Sequence, residues 1–257
     1  MLTLLKKSRG IGAWLLLYSN AFATHPLVTD DTTTQGARQF QLEVNSEFSN
    51  DQQSMNGVTT KESTSSFATA LTVGISENLD ITLAVPWQWN SRQDNDLTTM
   101  SVNGVNDITF GLKWRFLTTE DGITLALKPV VSLPTGDSGR GFGRGKLSEG
   151  VTAIATHQGR LGALHCNLGY THSPNINEES SNNIWHASFA SELNLSNNLR
   201  SVFDFGIDRT ETRVSTTHPS YSLGGFIYSV SDNLDLDLGL KNGHTETTIL
   251  AGITTRF

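Results

Sequence analysis

Residues 234–241 read Leu-Asp-Leu-Asp-Leu-Gly-Leu-Lys, and residues 246–257 read Glu-Thr-Thr-Ile-Leu-Ala-Gly-Ile-Thr-Thr-Arg-Phe. In both stretches apolar residues alternate with polar or small ones, with Leu250 as the exception. Successive side chains on a β-strand point to opposite faces of the sheet, so each stretch predicts a strand with one apolar and one polar face. Such a pattern suits a sheet that faces lipid on one side and water on the other.

The same alternation recurs along the whole chain from Phe40 onwards, and no useful length of helical periodicity interrupts it. The strands are separated by connections that alternate between short turns and long polar loops. The longest predicted loops cover residues 50–64, 90–106 and 134–150. The pattern predicts an all-β fold, namely a transmembrane up-and-down antiparallel β-barrel of about twelve strands.

A soluble β-sandwich or jelly roll is the competing interpretation, because it also alternates and can also follow a signal peptide. Alternating turn lengths favour the up-and-down barrel. Aromatic residues near the strand ends favour two membrane interfaces. They are Trp87, Trp89, Tyr170, Trp185 and Tyr221 at the long loops, and Phe116, Tyr228 and Phe257 at the short turns. The terminal Phe257 also resembles the signal that outer-membrane proteins present to the barrel assembly machinery.

The N-terminus predicts export. Basic residues precede a short apolar run at residues 11–18, and Ala21-Phe22-Ala23 fits a cleavage site. The run is too short for a membrane anchor, the alternative reading. We therefore expect a signal peptide at 1–23, an irregular segment at 24–38, an outer-membrane β-barrel at 39–257, and a location in the bacterial outer membrane.

The composition of the chain limits the classes of partner that we expect. The formal net charge of -7 argues against nucleic acid, and the single Cys166 rules out an internal disulfide bond. The expected partners are outer-membrane lipids and lipopolysaccharide, the assembly machinery, and a small-molecule solute. No cofactor is expected.

The odd or even position of a residue along its strand, here called its parity, assigns charged side chains to the interior of the barrel. Basic residues predicted to line the lumen are Lys113, Arg115 and Lys128, and acidic ones are Asp204, Asp208, Asp235 and Asp237. The two sets lie about half a circumference apart in a barrel of about twelve strands. They either face each other across an open lumen or pair with neighbours and fill a narrow one. Both readings stay open, because barrels of about eight strands are filled and those of about sixteen are open.

The loop at residues 133–146 reads Leu-Pro-Thr-Gly-Asp-Ser-Gly-Arg-Gly-Phe-Gly-Arg-Gly-Lys. Its glycines permit tight folding, and its cations are Arg140, Arg144 and Lys146. These three are candidates for a constriction that narrows an anion path. The alternative is a flexible surface loop that touches lipopolysaccharide phosphates.

Catalytic and metal-binding patterns are weak. His186 and Ser188 are spaced as in some barrel phospholipases, but Trp185, Ala187 and Phe189 take the lipid side, so His186 and Ser188 face the lumen, away from a lipid substrate. The other histidines lack metal-ligand spacing. We expect no enzyme activity, no catalytic residue and no metal site.

The opening His-Pro-Leu-Val-Thr-Asp-Asp-Thr at residues 25–32, followed by Gly36 and Gln-Leu-Glu at 41–43, resembles the family named for the MetA pathway of phenol degradation. Leu-Pro-Thr-Gly-Asp at 133–137 is similar to that family's mid-chain motif. The resemblance implies an outer-membrane barrel that helps hydrophobic or aromatic compounds cross the membrane, and it transfers no catalytic residue. Asp30 and Asp31 either tie the N-terminal segment into the periplasmic mouth as a plug or cap a turn.

These observations predict a channel or transporter for passive passage of small, aromatic or hydrophobic solutes. A structural or adhesive barrel with a closed lumen and partner-binding extracellular loops is the rival. An outer-membrane lipid hydrolase is the third class.

Overall fold

The computed structural model describes residues 25–55, 57–174, 183–211, 216–243 and 246–257. The expected signal peptide at 1–23 lies outside these ranges. Fourteen strands, numbered in chain order, are present in the described part: β1 (Phe40–Met55), β2 (Val58–Ser76), β3 (Leu79–Asp94), β4 (Leu97–Val105), β5 (Ile108–Thr118), β6 (Ile123–Leu133), β7 (Ser148–Gly159), β8 (Gly162–His172), β9 (Asn183–Asn194), β10 (Leu199–Glu211), β11 (Thr216–Thr217), β12 (Ser220–Ser231), β13 (Leu234–Asn242) and β14 (Glu246–Arg256).

Twelve of these strands form a closed antiparallel barrel. Each wall strand pairs with the next one along the chain, and β4 and β11 are extra strands that pair with β3 and β10. The first and last strands close the wall, with Gln41 opposite Arg256 and Val44 opposite Ile253. Closure leaves the wall without a free edge, as a sheet in lipid requires. The prediction of an up-and-down barrel of about twelve strands is therefore confirmed.

The outer face of the wall is apolar. Leu236, Leu238 and Leu240 of β13 alternate with buried inward-facing residues, and Leu238 keeps 58% of its surface exposed. Soluble proteins rarely expose continuous apolar surface of this extent, which excludes the sandwich. The apolar belt and the closed wall place the barrel in the bacterial outer membrane. A long apolar helix that could cross a membrane is absent from the described ranges.

Two of the predicted loops are strands. Residues 50–55 and 58–64 continue β1 and β2 as one long hairpin, and residues 90–106 contain the end of β3 and all of β4. A strand of about ten residues crosses the bilayer, so the distal halves of these strands extend beyond it. Both of their faces meet water there, and the alternation that marks the lipid-facing part is lost.

Ring pairs lie at both ends of the outer surface. Trp87 packs on Trp89 at the long-loop end, and Phe40 stacks on Phe257 at the short-turn end, with ring centroids 5.8 Å apart. The placement of Tyr221 among the outer aromatics is wrong. Its hydroxyl donates to Asp204 and its ring packs against a buried apolar cluster inside the barrel. Parity along β12 puts Tyr221 on the same face as the buried Leu223.

Candidate functional site

The lumen is occupied by the N-terminal segment, here called the plug (residues 25–35). It lies inside the barrel without joining the sheet, and Thr29 and Asp30 have no exposed surface. From the start of β1 the plug passes the short turn between β2 and β3. There the Gln35 N–H donates to Asp80 at 3.0 Å. It then crosses to the opposite wall, so its contacts reach from β3 to β13.

The plug carries an anion to the basic side of the wall. The Asp30 carboxylate accepts from Lys113 at 2.8 Å and from Lys128 at 2.5 Å. With its amide oriented to satisfy both of its polar groups, Asn167 accepts from the Asp30 N–H at 2.6 Å and donates to the Asp30 carbonyl at 3.0 Å. Arg115 lies apart, where it donates to the Glu77 carbonyl at 2.7 Å.

The plug presents donors to the acidic side. Asp204 accepts the backbone N–H groups of Val28 and Thr29 and the Thr29 hydroxyl, each at 2.7 Å, and the Tyr221 hydroxyl at 3.1 Å. The His25 ring pairs with Asp237. Each of these carboxylates therefore has a partner from the plug.

The two remaining acidic candidates pair within the wall. Asp235 binds Arg200 at 3.3 Å and Arg256 at 3.0 Å, and Asp208 binds His186 at 2.6 Å. The plug thus bridges part of the charge separation that parity predicts. Burial of an unpaired charge is costly, and the plug meets each side of the lumen with the complementary group.

An apolar patch also faces the lumen, which parity alone does not reveal. Leu27 of the plug packs into a buried cluster on the acidic side of the barrel. The other members of this cluster are Ala190, Val202, Leu223, Ile227 and Leu250. A signal for it exists in β12, where apolar residues occupy both faces over residues 223–228.

Two glycines let the plug approach the wall. A Cβ atom at Gly239 would lie 2.9 Å from Pro26 Cβ, and one at Gly225 would lie 3.1 Å from Pro26 Cγ. Gly225 and Gly239 oppose each other on β12 and β13. The alternation of leucine with aspartate in β13 therefore switches to glycine where Pro26 lies.

The loop between β6 and β7 is folded onto the connection before β5. Asp107 accepts the backbone N–H groups of Gly136 at 3.0 Å and Arg144 at 2.8 Å, and the Phe142 ring is fully buried, close to Gly104. Burial lowers the pKa of the Arg144 guanidinium to about 10, while the Asp107 carboxylate acts in the opposite direction. The loop, here called the cover, is therefore held against the connection between β4 and β5 at the long-loop end.

The three cations of this loop have different environments. Arg144 is buried, whereas Arg140 and Lys146 are exposed. Arg140 donates to the Asn103 carbonyl at 3.2 Å, and its guanidinium lies 5.8 Å from the centre of the Phe142 ring. Their role in a constriction stays a prediction.

His186 lies inside the barrel against Asp208 and stacks on Tyr221, with ring centroids 6.5 Å apart. Cys166 is exposed on the outer face. Across the described residues, no three His, Cys, Asp or Glu side chains form a group that could hold a metal ion.

Solved structures share this fold. The COG4313 outer membrane channel from Pseudomonas putida F1 has a TM-score of 0.69 and 11% identity, over 88% of this chain and 98% of that one. The KdgM porin in complex with oligogalacturonate has a TM-score of 0.56 and 4% identity, over 84% and 99%. The translocator domain of the autotransporter NalP from Neisseria meningitidis has a TM-score of 0.50 and 13% identity, over 88% and 91%.

No curated protein matches the sequence. The family model described as the MetA pathway of phenol degradation matches residues 29–255. Its match begins within the plug, ends within β14, and confirms the resemblance to this family. The chain therefore belongs to the MetA-pathway of phenol degradation family.

Proposed function

We propose that the protein is a passive outer-membrane channel for small solutes, and that the plug must leave the lumen before a solute passes. The main observation behind this proposal is that residues 25–32 fill the lumen through side-chain and backbone contacts but pair with no wall strand. Withdrawal of the plug therefore breaks no ladder hydrogen bond of the barrel. It breaks a limited set of polar contacts, those of Asp30, Asp204 and Asp237 among them.

The size of the barrel supports passage of a small solute. Eight strands enclose an interior that side chains fill, whereas sixteen enclose an aqueous channel. Twelve strands leave a lumen wide enough for one irregular chain segment, as the plug itself demonstrates. The similar solved structures named as a channel and as a porin support the same use of the fold. Aromatic or hydrophobic solutes are proposed from the family to which the chain belongs.

A closed structural or adhesive barrel is the second candidate. Its supporting observation is that the plug satisfies charged groups on both sides of the lumen. The long hairpin of β1 and β2, which extends beyond the membrane, would then provide a surface for lipopolysaccharide or another partner.

We propose no catalytic role. His186 is engaged by Asp208 inside the barrel, whereas a lipid substrate lies outside the wall. If the protein were a hydrolase that acts through His186, the substitution His186→Ala would abolish ester cleavage.

Planar-bilayer recordings test the channel. Deletion of residues 27–32 removes the central part of the plug, and an equally long deletion of residues 54–59 shortens the exposed β1–β2 hairpin as a control. We expect frequent, larger current steps from the first variant only. Both proteins must show the heat-dependent gel shift of a folded barrel. A folded barrel without residues 27–32 that carries no current would contradict the channel and favour the closed barrel.

A further inference from the structure

We propose that the lumen contains a binding site for an amphipathic monocarboxylate, and that residues 27–30 of the plug occupy this site in its place. The inference rests on the proposed function and names the class of solute. It follows from three features of the space that these residues fill: a cationic end, an apolar end, and the distance between them.

The cationic end is the wall around Asp30. Lys113 and Lys128 bind its carboxylate, and both are buried or nearly so. Lys113 also interacts electrostatically with Glu43 and Asp80 of the wall and with Asp31 of the plug. When Asp30 withdraws, Lys113 and Lys128 lose the carboxylate that both of them bind, and a single carboxylate of a ligand can take its place.

The apolar end is the patch that holds Leu27. Val202 and Ala190 have no exposed surface, and Ile227 has 1%. Exposure of an inward-facing apolar patch in a water-filled pore is unfavourable, because each Å² of apolar area exposed to water costs about 25 cal/mol. A solute with an apolar body covers the patch again after Leu27 leaves.

The wall also sets the orientation of the ligand. Asp204 lies beside the apolar patch and accepts hydrogen bonds from Val28 and Thr29. Its charge repels a carboxylate at that end, so an anionic ligand must place its carboxylate at Lys113 and Lys128. Leu27 and Asp30 are three residues apart, and a chain spans at most about 3.6 Å per residue. The Cα atoms of Leu27 and Asp30 therefore lie within about 11 Å of each other, and the apolar body and the carboxylate of the ligand must span a comparable distance.

4-Phenylbutyrate satisfies these conditions and is the probe. A full-length chain with Cys166→Ala and Val28→Cys carries one thiol, in the plug at a half-buried position, and a water-soluble maleimide reports how often the plug leaves. A ligand that competes with the plug raises the labelling rate in proportion to 1 + [L]/Kd, hence about tenfold at ten times its Kd. 4-Phenylbutanol lacks the charge, and butyrate lacks the apolar body.

We expect 4-phenylbutyrate to accelerate labelling and the other two compounds to leave the rate unchanged. Lys128→Met should abolish the acceleration, and Val202→Thr should reduce it. Lys61→Met, in an exposed pair with Asp96, is the matched control and should retain it. Each rate is compared with that of the same variant without ligand, so a looser plug in Lys128→Met does not obscure the result.

Equal acceleration by 4-phenylbutanol, or full acceleration in Lys128→Met, overturns the carboxylate site. Absence of acceleration by 4-phenylbutyrate overturns it too. If the barrel lacking residues 27–32 still conducts in that case, the channel stands and only the ligand class is wrong. If that barrel does not conduct but labelling responds to 4-phenylbutyrate, the site stands and the channel is wrong.

Discussion

Asp204 of the wall accepts both the backbone N–H and the hydroxyl of Thr29 in the plug, at 2.7 Å each. The two residues are 175 positions apart in the chain. One carboxylate on β10 therefore holds the middle of the plug, because hydrogen bonds to a charged acceptor are stronger than those between neutral groups. The relationship makes Asp204 the clearest single contact by which the plug can be loosened.

Asp204→Asn is predicted to increase escape of the plug. The substitution preserves volume but removes the charge, and the new amide group adds a donor where Val28 and Thr29 already present donors. A hydrogen bond to a charged group contributes about 1.5–3 kcal/mol, so the ratio of open to plugged barrels should rise at least about tenfold. Open probability in planar bilayers measures this ratio. Asp208→Asn, on the same strand but paired with His186, is the control and should leave it unchanged.

Asp30→Asn is predicted to open the barrel more strongly. Removal of one partner from a buried ion pair costs about 3–5 kcal/mol, and Asp30 is the shared partner of Lys113 and Lys128. The ratio of open to plugged barrels should rise at least about a hundredfold. Labelling of Val28→Cys measures it independently of current. Asp96→Asn, in an exposed pair with Lys61, should have no effect. Equal labelling in the two variants would show that the lysines do not hold the plug.

The wall of the barrel was predictable because its determinant is local. A period of two residues marks the lipid face and the lumen face of strands such as β13, and the parity of Asp235 and Asp237 follows from it. The long β1–β2 hairpin was not predictable in this way. Its distal part has water on both faces, and residues such as Thr59 and Thr60 carry no alternation.

The interior of the plug site was predictable only in part. Parity places Lys128 and Asp204 in the lumen, but it cannot show that a segment near the N-terminus folds back between them. The plug has no periodicity, and its contacts join residues far apart in the chain, such as His25 and Asp237. Signs of the plug among the wall residues are Gly239 and Ile227, which lack the polar side chain expected at a position that faces the lumen.

Gly239→Val is predicted to displace the plug while the barrel still assembles. Valine favours strands, but its Cβ would lie 2.9 Å from Pro26 Cβ, closer than two non-bonded carbon atoms normally approach. Gly224→Val is a matched control on the neighbouring strand, since a Cβ there meets the Phe203 ring at 3.9 Å. We expect a normal heat-dependent gel shift from both variants and larger current only from Gly239→Val. Current that matches the wild type in Gly239→Val would mean that Pro26 adjusts without loss of the plug.

Phe142→Ala is predicted to unfold the cover at the long-loop end without loosening the plug. The ring is fully buried, and its removal costs about 3–5 kcal/mol in a comparable core. Arg140 packs over this ring, and the exposed Lys146 follows in the same loop, so trypsin can report the loosening. Cleavage of reconstituted protein after Arg140 or Lys146 should accelerate in Phe142→Ala but not in Leu147→Ala, whose side chain is already exposed. Labelling of Val28→Cys should stay at its wild-type rate in both. An increase of that labelling in Phe142→Ala would contradict independence and would instead couple the cover to the plug.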